Sequence, residues 1–178
     1  VMNTIYVAFR GTSESGDVVT DISYYPKKWL DTKSHAGFIK AFDSISYAVF
    51  KEVNDIMYST TQTRLIFCGH SLGGAIAHLA FYFANYRPEV LRMNVSNVFC
   101  VTEGCPKVFV ERKLTSTHQA FSSRAVRVTY ADDVVPTLPP RTLILTLTRG
   151  EYTHVGQHWS IGIQDYKEGF TENRSKIY

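Results

Sequence analysis

With 178 residues the chain is long enough for one domain with a buried core. Its 44% hydrophobic and 20% charged residues exclude a disordered or fibrous chain. A net charge of +3 without a long basic stripe argues against nucleic acid as a partner, and Arg112-Lys113 with Arg124 and Arg127 reads as a solvated face.

Thr4 to Phe9 is a short β-rich apolar run stopped by Arg10-Gly11, the pattern of a buried strand. The opening residues from Val1 already run into that strand, so the expectation is a piece cut at both ends from something longer. Residues 12 to 34 are polar and turn-rich. From Gly37, the apolar residues Phe38, Ala41, Phe42, Ile45, Val49, Val53 and Ile56 recur at three- and four-residue steps and predict one amphipathic helix ending near Tyr58. Leu65 to Cys68 is a second buried strand, and Ser71 to Ala84 is a helix closed by Pro88. A third strand is expected over Asn97 to Thr102, followed by a Gly104-Cys105-Pro106 turn. A polar helix is expected over Val110 to Phe121, a fourth strand over Ala125 to Tyr130, and a last extended segment over Tyr152 to Ile163. No apolar run approaches the ~18 residues of a membrane-spanning helix. Strands alternating with helices predict βαβ units and a mostly parallel sheet in a single domain, 1–178.

Cys68, Cys100 and Cys105 are an odd number at irregular spacing, so they are no disulfide framework. Cys68 and Cys100 read as small buried residues and Cys105 as the more exposed.

The segment with chemical content is Gly69-His70-Ser71-Leu72-Gly73. Gly-x-Ser-x-Gly between a buried strand and a helix is a nucleophile elbow, in which a tight turn lifts the serine hydroxyl above the sheet. Positions 69 and 73 must be glycine because a side chain there meets the neighbouring helix or strand. The helix that follows aims its positive end at a site where negative charge develops.

The motifs together resemble the class 3 lipase family, the fungal triacylglycerol lipases and their relatives. Phe9-Arg10-Gly11-Thr12 is similar to its oxyanion loop, His35-Ala36-Gly37-Phe38 to its helix-opening motif, and Gly69 to Ala75 to its elbow. Glu103 to Val108 is similar to its Gly-x-Pro turn, Asp132 to Pro140 to its acid loop, and Tyr152 to Gly156 to a late strand. The resemblance implies a three-layer α/β hydrolase, a mainly parallel sheet with helices on both faces. It implies a serine hydrolase cleaving carboxylic esters, acylglycerols or related lipids, through an acyl-enzyme on Ser71. Thr12 and Leu72 would supply the oxyanion N–H groups, and Asp133, rather than its neighbour Asp132, the triad acid. No metal or cofactor is implied. The partners would be a lipid or other ester and, transiently, a membrane or lipid-droplet surface.

The general base must follow the acid, and only His154 and His158 do. Tyr152 to Gly156 matches a stretch that lies upstream of the family's catalytic histidine, so the base is expected beyond Tyr178, with His158 and then His154 as alternatives. His70 reads as a packing residue inside the elbow. Ser15 to Tyr25 stands where the family often has a lid, and is equally readable as a surface loop. The rival reading is a non-catalytic hydrolase-fold module that binds lipid or protein.

Overall fold

The computed structural model describes residues 3–11, 25–59, 64–111, 116–139 and 151–162. Two sheets organise them. The first has five strands, β1 (Thr4–Phe9), β4 (Arg64–His70), β5 (Val98–Glu103), β7 (Ala125–Tyr130) and β9 (Gln157–Ile161), side by side in that order and all parallel. The second is antiparallel, in the order β2 (Pro26–Trp29), β3 (Thr32–His35), β6 (Phe109–Glu111) and β8 (Glu151–Thr153). The helices are α1 (Ala36–Ser59), α2 (Leu72–Tyr86) and the short α3 (Ser116–Phe121).

The apolar stripe of α1 buries Phe38, Ile39, Phe42, Phe50 and Val53. Its start is capped by His35, whose Nδ1 accepts the N–H groups of Gly37 (3.1 Å) and Phe38 (3.3 Å). Burial drives the His35 pKa down to about 4, which keeps that nitrogen free of a proton. Helix α2 is apolar all round and lies in the middle of the core, with Ala75, Ala77, Leu79, Ala80, Phe81 and Tyr82 fully buried. The Phe50 ring meets Phe67 of β4 and Phe83 of α2, which fixes α1 and α2 on one face of the parallel sheet. That face carries Leu65, Phe67, Val98, Cys100, Thr102 and Ala125, all buried. Among the described residues the three helices gather there, and on the other face Tyr6, Val101, Tyr130 and Trp159 are exposed.

Several expectations need correction. The antiparallel sheet has no counterpart in the sequence reading. The hairpin β2–β3 turns at Leu30-Asp31, with Leu30 at φ 54, and lacks the Asn-Gly or Asp-Gly pair that would have announced it. The polar helix expected over Val110 to Phe121 is a strand, Phe109–Glu111, and a helix of six residues from Ser116. Phe109 enters the main core while Val110 packs with Tyr152 in a separate cluster, and only a strand sends adjacent side chains to opposite sides. The last extended segment breaks at Gly156 (φ 99) into β8 and β9, which belong to different sheets. Cys105 is buried at 2% exposure, against the expectation of an open turn. Arg124 and Arg127 do not form a solvated face either. Arg124 donates to the Val95 and Val98 carbonyls and to Asn85, and Arg127 lies buried, its pKa lowered to about 10 by loss of solvent.

Candidate active site

All strands of the parallel sheet end at the same edge, where open α/β sheets form their sites. The loops after β1, β4, β5 and β7 meet there.

Ser71 stands between β4 and α2 at φ 53, ψ −125, a left-handed conformation that non-glycine residues rarely hold. Its N–H donates to the Glu103 carbonyl at 3.0 Å, and its own carbonyl accepts from Ala75 N–H at 3.2 Å. The flanking glycines make the corner possible. A Cβ on Gly69 would overlap the backbone of Gly73, and one on Gly73 would overlap the Phe9 carbonyl. Leu72 is the first residue of α2, where an amide has no partner within the helix.

Gly11 brings the loop after β1 against this corner. A Cβ on it would lie 2.7 Å from the His70 carbonyl oxygen and 3.6 Å from the Ser71 Cβ. Thr12, the next residue, lies outside the described residues, as does the lid candidate apart from Tyr25.

Asp133 arrives from the loop after β7. Its N–H donates to Tyr130 at 3.1 Å, and its Oδ1 accepts from Val135 N–H at 2.9 Å, a local turn that fixes the carboxylate. A Cβ on Gly104 (φ 53) would lie 2.7 Å from Asp133 Oδ2 and 3.3 Å from His70 Nε2. Gly104 follows Glu103, whose carbonyl holds Ser71, so the serine corner and the Asp133 carboxylate share one turn. Asp132 is exposed. His70 is exposed, not packed: alternation along β4 sends it to the uncovered face, beside Gly104.

The two later histidines are engaged elsewhere. His158 shares a 2.7 Å hydrogen bond between Nε2 and Thr129 Oγ1. It sits on β9, three strands from β4, roughly 14 Å across the sheet. His154 has its Nε2 2.8 Å from the Pro136 carbonyl. Burial, reinforced by the Arg127 charge, lowers its pKa to about 2, so the ring is neutral and Nε2 donates. Behind the site, His78 of α2 contacts Cys105 Sγ at 3.7 Å, and its pKa falls to about 3, chiefly through burial and then through Arg127. Burial pushes the Cys105 thiol up to about 12, which keeps it uncharged and unreactive. Among the described residues no three His, Cys, Asp or Glu converge as metal ligands do.

The sequence reading placed Gly11, Gly104 and Lys107 in motifs and His154 among the candidate bases, but gave none of them the close approaches and loop contacts they make here. A glycine that follows a strand end is a usable signal for the first two.

The class 3 lipase family matches residues 6–143. A lipase of Rhizomucor miehei is 31% identical over 147 residues, covering 77% of this chain and 38% of the relative. The crystal structure of a lipase from Rhizopus microsporus var. chinensis superposes with a TM-score of 0.76 at 29% identity, over 89% of this chain and 53% of that one. A triacylglycerol lipase whose catalytic centre is formed by a serine protease triad superposes with a TM-score of 0.73 at 28% identity, covering 89% and 57%. The chain thus spans between about two fifths and three fifths of these proteins. Its fold is that of the α/β hydrolases. A strained serine at a glycine-flanked strand-to-helix corner, with the family match running across it, leads to one conclusion: the chain belongs to the class 3 lipase family.

Proposed function

We propose that this chain carries the nucleophile half of a lipase or esterase that cleaves carboxylic esters of lipids by acyl transfer. Ser71 attacks the ester carbonyl after passing its proton to a histidine. Asp133 orients that histidine and stabilises the imidazolium, and the N–H groups of Thr12 and Leu72 receive the oxyanion. Water then releases the acid from the acyl-enzyme. The base lies beyond Tyr178, a placement supported by the engagement of both later histidines with other partners. The observation that carries the reading is Ser71 held at φ 53 on the turn that also borders the Asp133 carboxylate. The substrate class rests on the likeness to a triacylglycerol lipase, and a lipid surface is the natural place to meet such a substrate.

The test is labelling of the full-length protein with a fluorophosphonate. Covalent labelling that disappears in Ser71→Ala, together with loss of ester turnover, is the expected result. A folded full-length protein that takes no label overturns the reading and favours the non-catalytic binding module.

A further inference from the structure

The acid loop leaves the sheet at Tyr130 and returns to no strand before Pro139. Its internal bonds are local: Asp133 N–H to Tyr130, Val135 N–H to Asp133, Thr137 N–H and Oγ1 to Val134, and Leu138 N–H to Val135. Such bonds shape the loop but do not locate it relative to Ser71. At its start the loop is tied to β9 by Ala131 N–H donating to Ile161 at 3.1 Å, and two residues from other elements hold its far half. Lys107, in the turn after β5, donates from its backbone N–H to Leu138 (2.8 Å) and from Nζ to the Thr137 (2.6 Å) and Pro139 (3.1 Å) carbonyls. His154, just after β8, donates from Nε2 to Pro136 at 2.8 Å. The carbonyls of Pro136, Thr137, Leu138 and Pro139 are therefore all held from outside the loop.

From these contacts, and resting on the assignment of Asp133 as the triad acid, we infer that Lys107 and His154 are positioning residues that set the acid's place relative to the nucleophile. The connection is short and rigid. Ser71 N–H is bonded to Glu103, and Glu103 begins the buried turn Gly104-Cys105-Pro106 that ends in Lys107. Lys107 then holds the loop that presents Asp133 over Gly104. Nucleophile and acid are thus referenced to one turn. The Lys107 ammonium is a cation donating to two neutral carbonyls, stronger than an amide in that role. Burial and the nearby Arg127 charge keep the His154 ring neutral, with Nε2–H as its donor to Pro136.

A double-mutant cycle in the full-length protein tests this, with a soluble chromogenic ester. Lys107→Met should lower kcat by about ten- to a hundred-fold with KM nearly constant, the scale expected when a catalytic group is displaced by about 1 Å. Lys107→Arg, which keeps donors for both carbonyls, should restore most of the loss. In an Asp133→Asn background Lys107→Met should add less than about twofold, because it acts through Asp133. His154→Phe removes a single bond on the other side of the loop, and should show the same dependence on Asp133. Wild-type kcat in Lys107→Met alongside a crippled Asp133→Asn overturns the positioning role and leaves the triad intact. So do losses that multiply independently. An unimpaired Asp133→Asn removes the assignment on which the inference stands.

Discussion

Gly104→Ala perturbs the site at a point where the outcome can be worked out from distances. Gly104 is at φ 53, and a residue with a Cβ pays about 1–2 kcal/mol to remain there. For a chain of this size that predicts a fall in Tm of roughly 2–8 °C. The added methyl would stand 2.7 Å from Asp133 Oδ2, inside any relaxed carbon–oxygen contact. The carboxylate must retreat by several tenths of an ångström, while its Oδ1 is still tied to Val135 N–H at 2.9 Å. The retreat therefore becomes a tilt of the group that is meant to orient the base. A loss in kcat of about ten- to a hundred-fold is expected, with KM for a soluble ester nearly unchanged. The assay is steady-state hydrolysis, with Tm measured on the same preparations to keep folding separate from chemistry. Turnover within twofold of wild type, accompanied by the expected Tm fall, would refute the argument. It would mean that Asp133 does no work where the structure places it.

Other outcomes follow from the same geometry. Asp133→Asn should reduce turnover by orders of magnitude and Asp132→Asn by little, because only Asp133 borders the serine's turn; the reverse ranking in a kcat/KM comparison would shift the acid by one residue. Gly73→Ala should cost about 3 kcal/mol or more, since its methyl overlaps the Phe9 backbone, whereas Gly37→Ala meets only two ring atoms of His35, at 3.1 and 3.3 Å, and should stay within about 1 kcal/mol; urea midpoints compare the two. Acid should destabilise the fold through its buried histidines. His78 is held neutral, its pKa of about 3 standing below an unfolded value near 6.5, so the unfolded chain binds the extra proton. Its stabilisation is complete above pH 6.5 and is lost as pH falls toward 3, amounting to about 2 kcal/mol by pH 5. His78→Gln should flatten the pH 7.5 to 5 change in unfolding free energy by that amount, and an unchanged slope would show that another group carries it.

Much of the parallel sheet was legible because its signals are local. Ala125 to Tyr130 is a continuous β-rich run between polar flanks and is found as a strand over those same residues. The repeat from Phe38 to Ile56 is found as one helix, Ala36–Ser59. The elbow was legible because a steric demand selects glycine at 69 and 73 on either side of the serine. The antiparallel sheet was not, because its strands are three or four residues long, its one hairpin lacks a turn signature, and β6 and β8 lie far along the chain from that hairpin. Phe109 and Val110 read equally well in a helix until two separate cores are there to receive them. The buried Arg127 and the exposed His70 were missed for a related reason. A side chain's polarity states a preference for solvent, while burial depends on which face of the sheet the helices cover.

By itself the sequence determined the alternation of strand and helix and the serine at its glycine-flanked corner, and family resemblance singled out Asp133 as the expected acid. These follow from neighbours a few residues apart, through steric fit, periodicity and motif. Tertiary structure alone decided that the turns at Gly11, Gly104 and Asp133 gather around that corner, and that Lys107 and His154 hold the acid loop in place. Convergence of this kind is a property of parallel strands ending at one edge, which brings together residues separated by more than a hundred positions without leaving a mark on either one's local sequence.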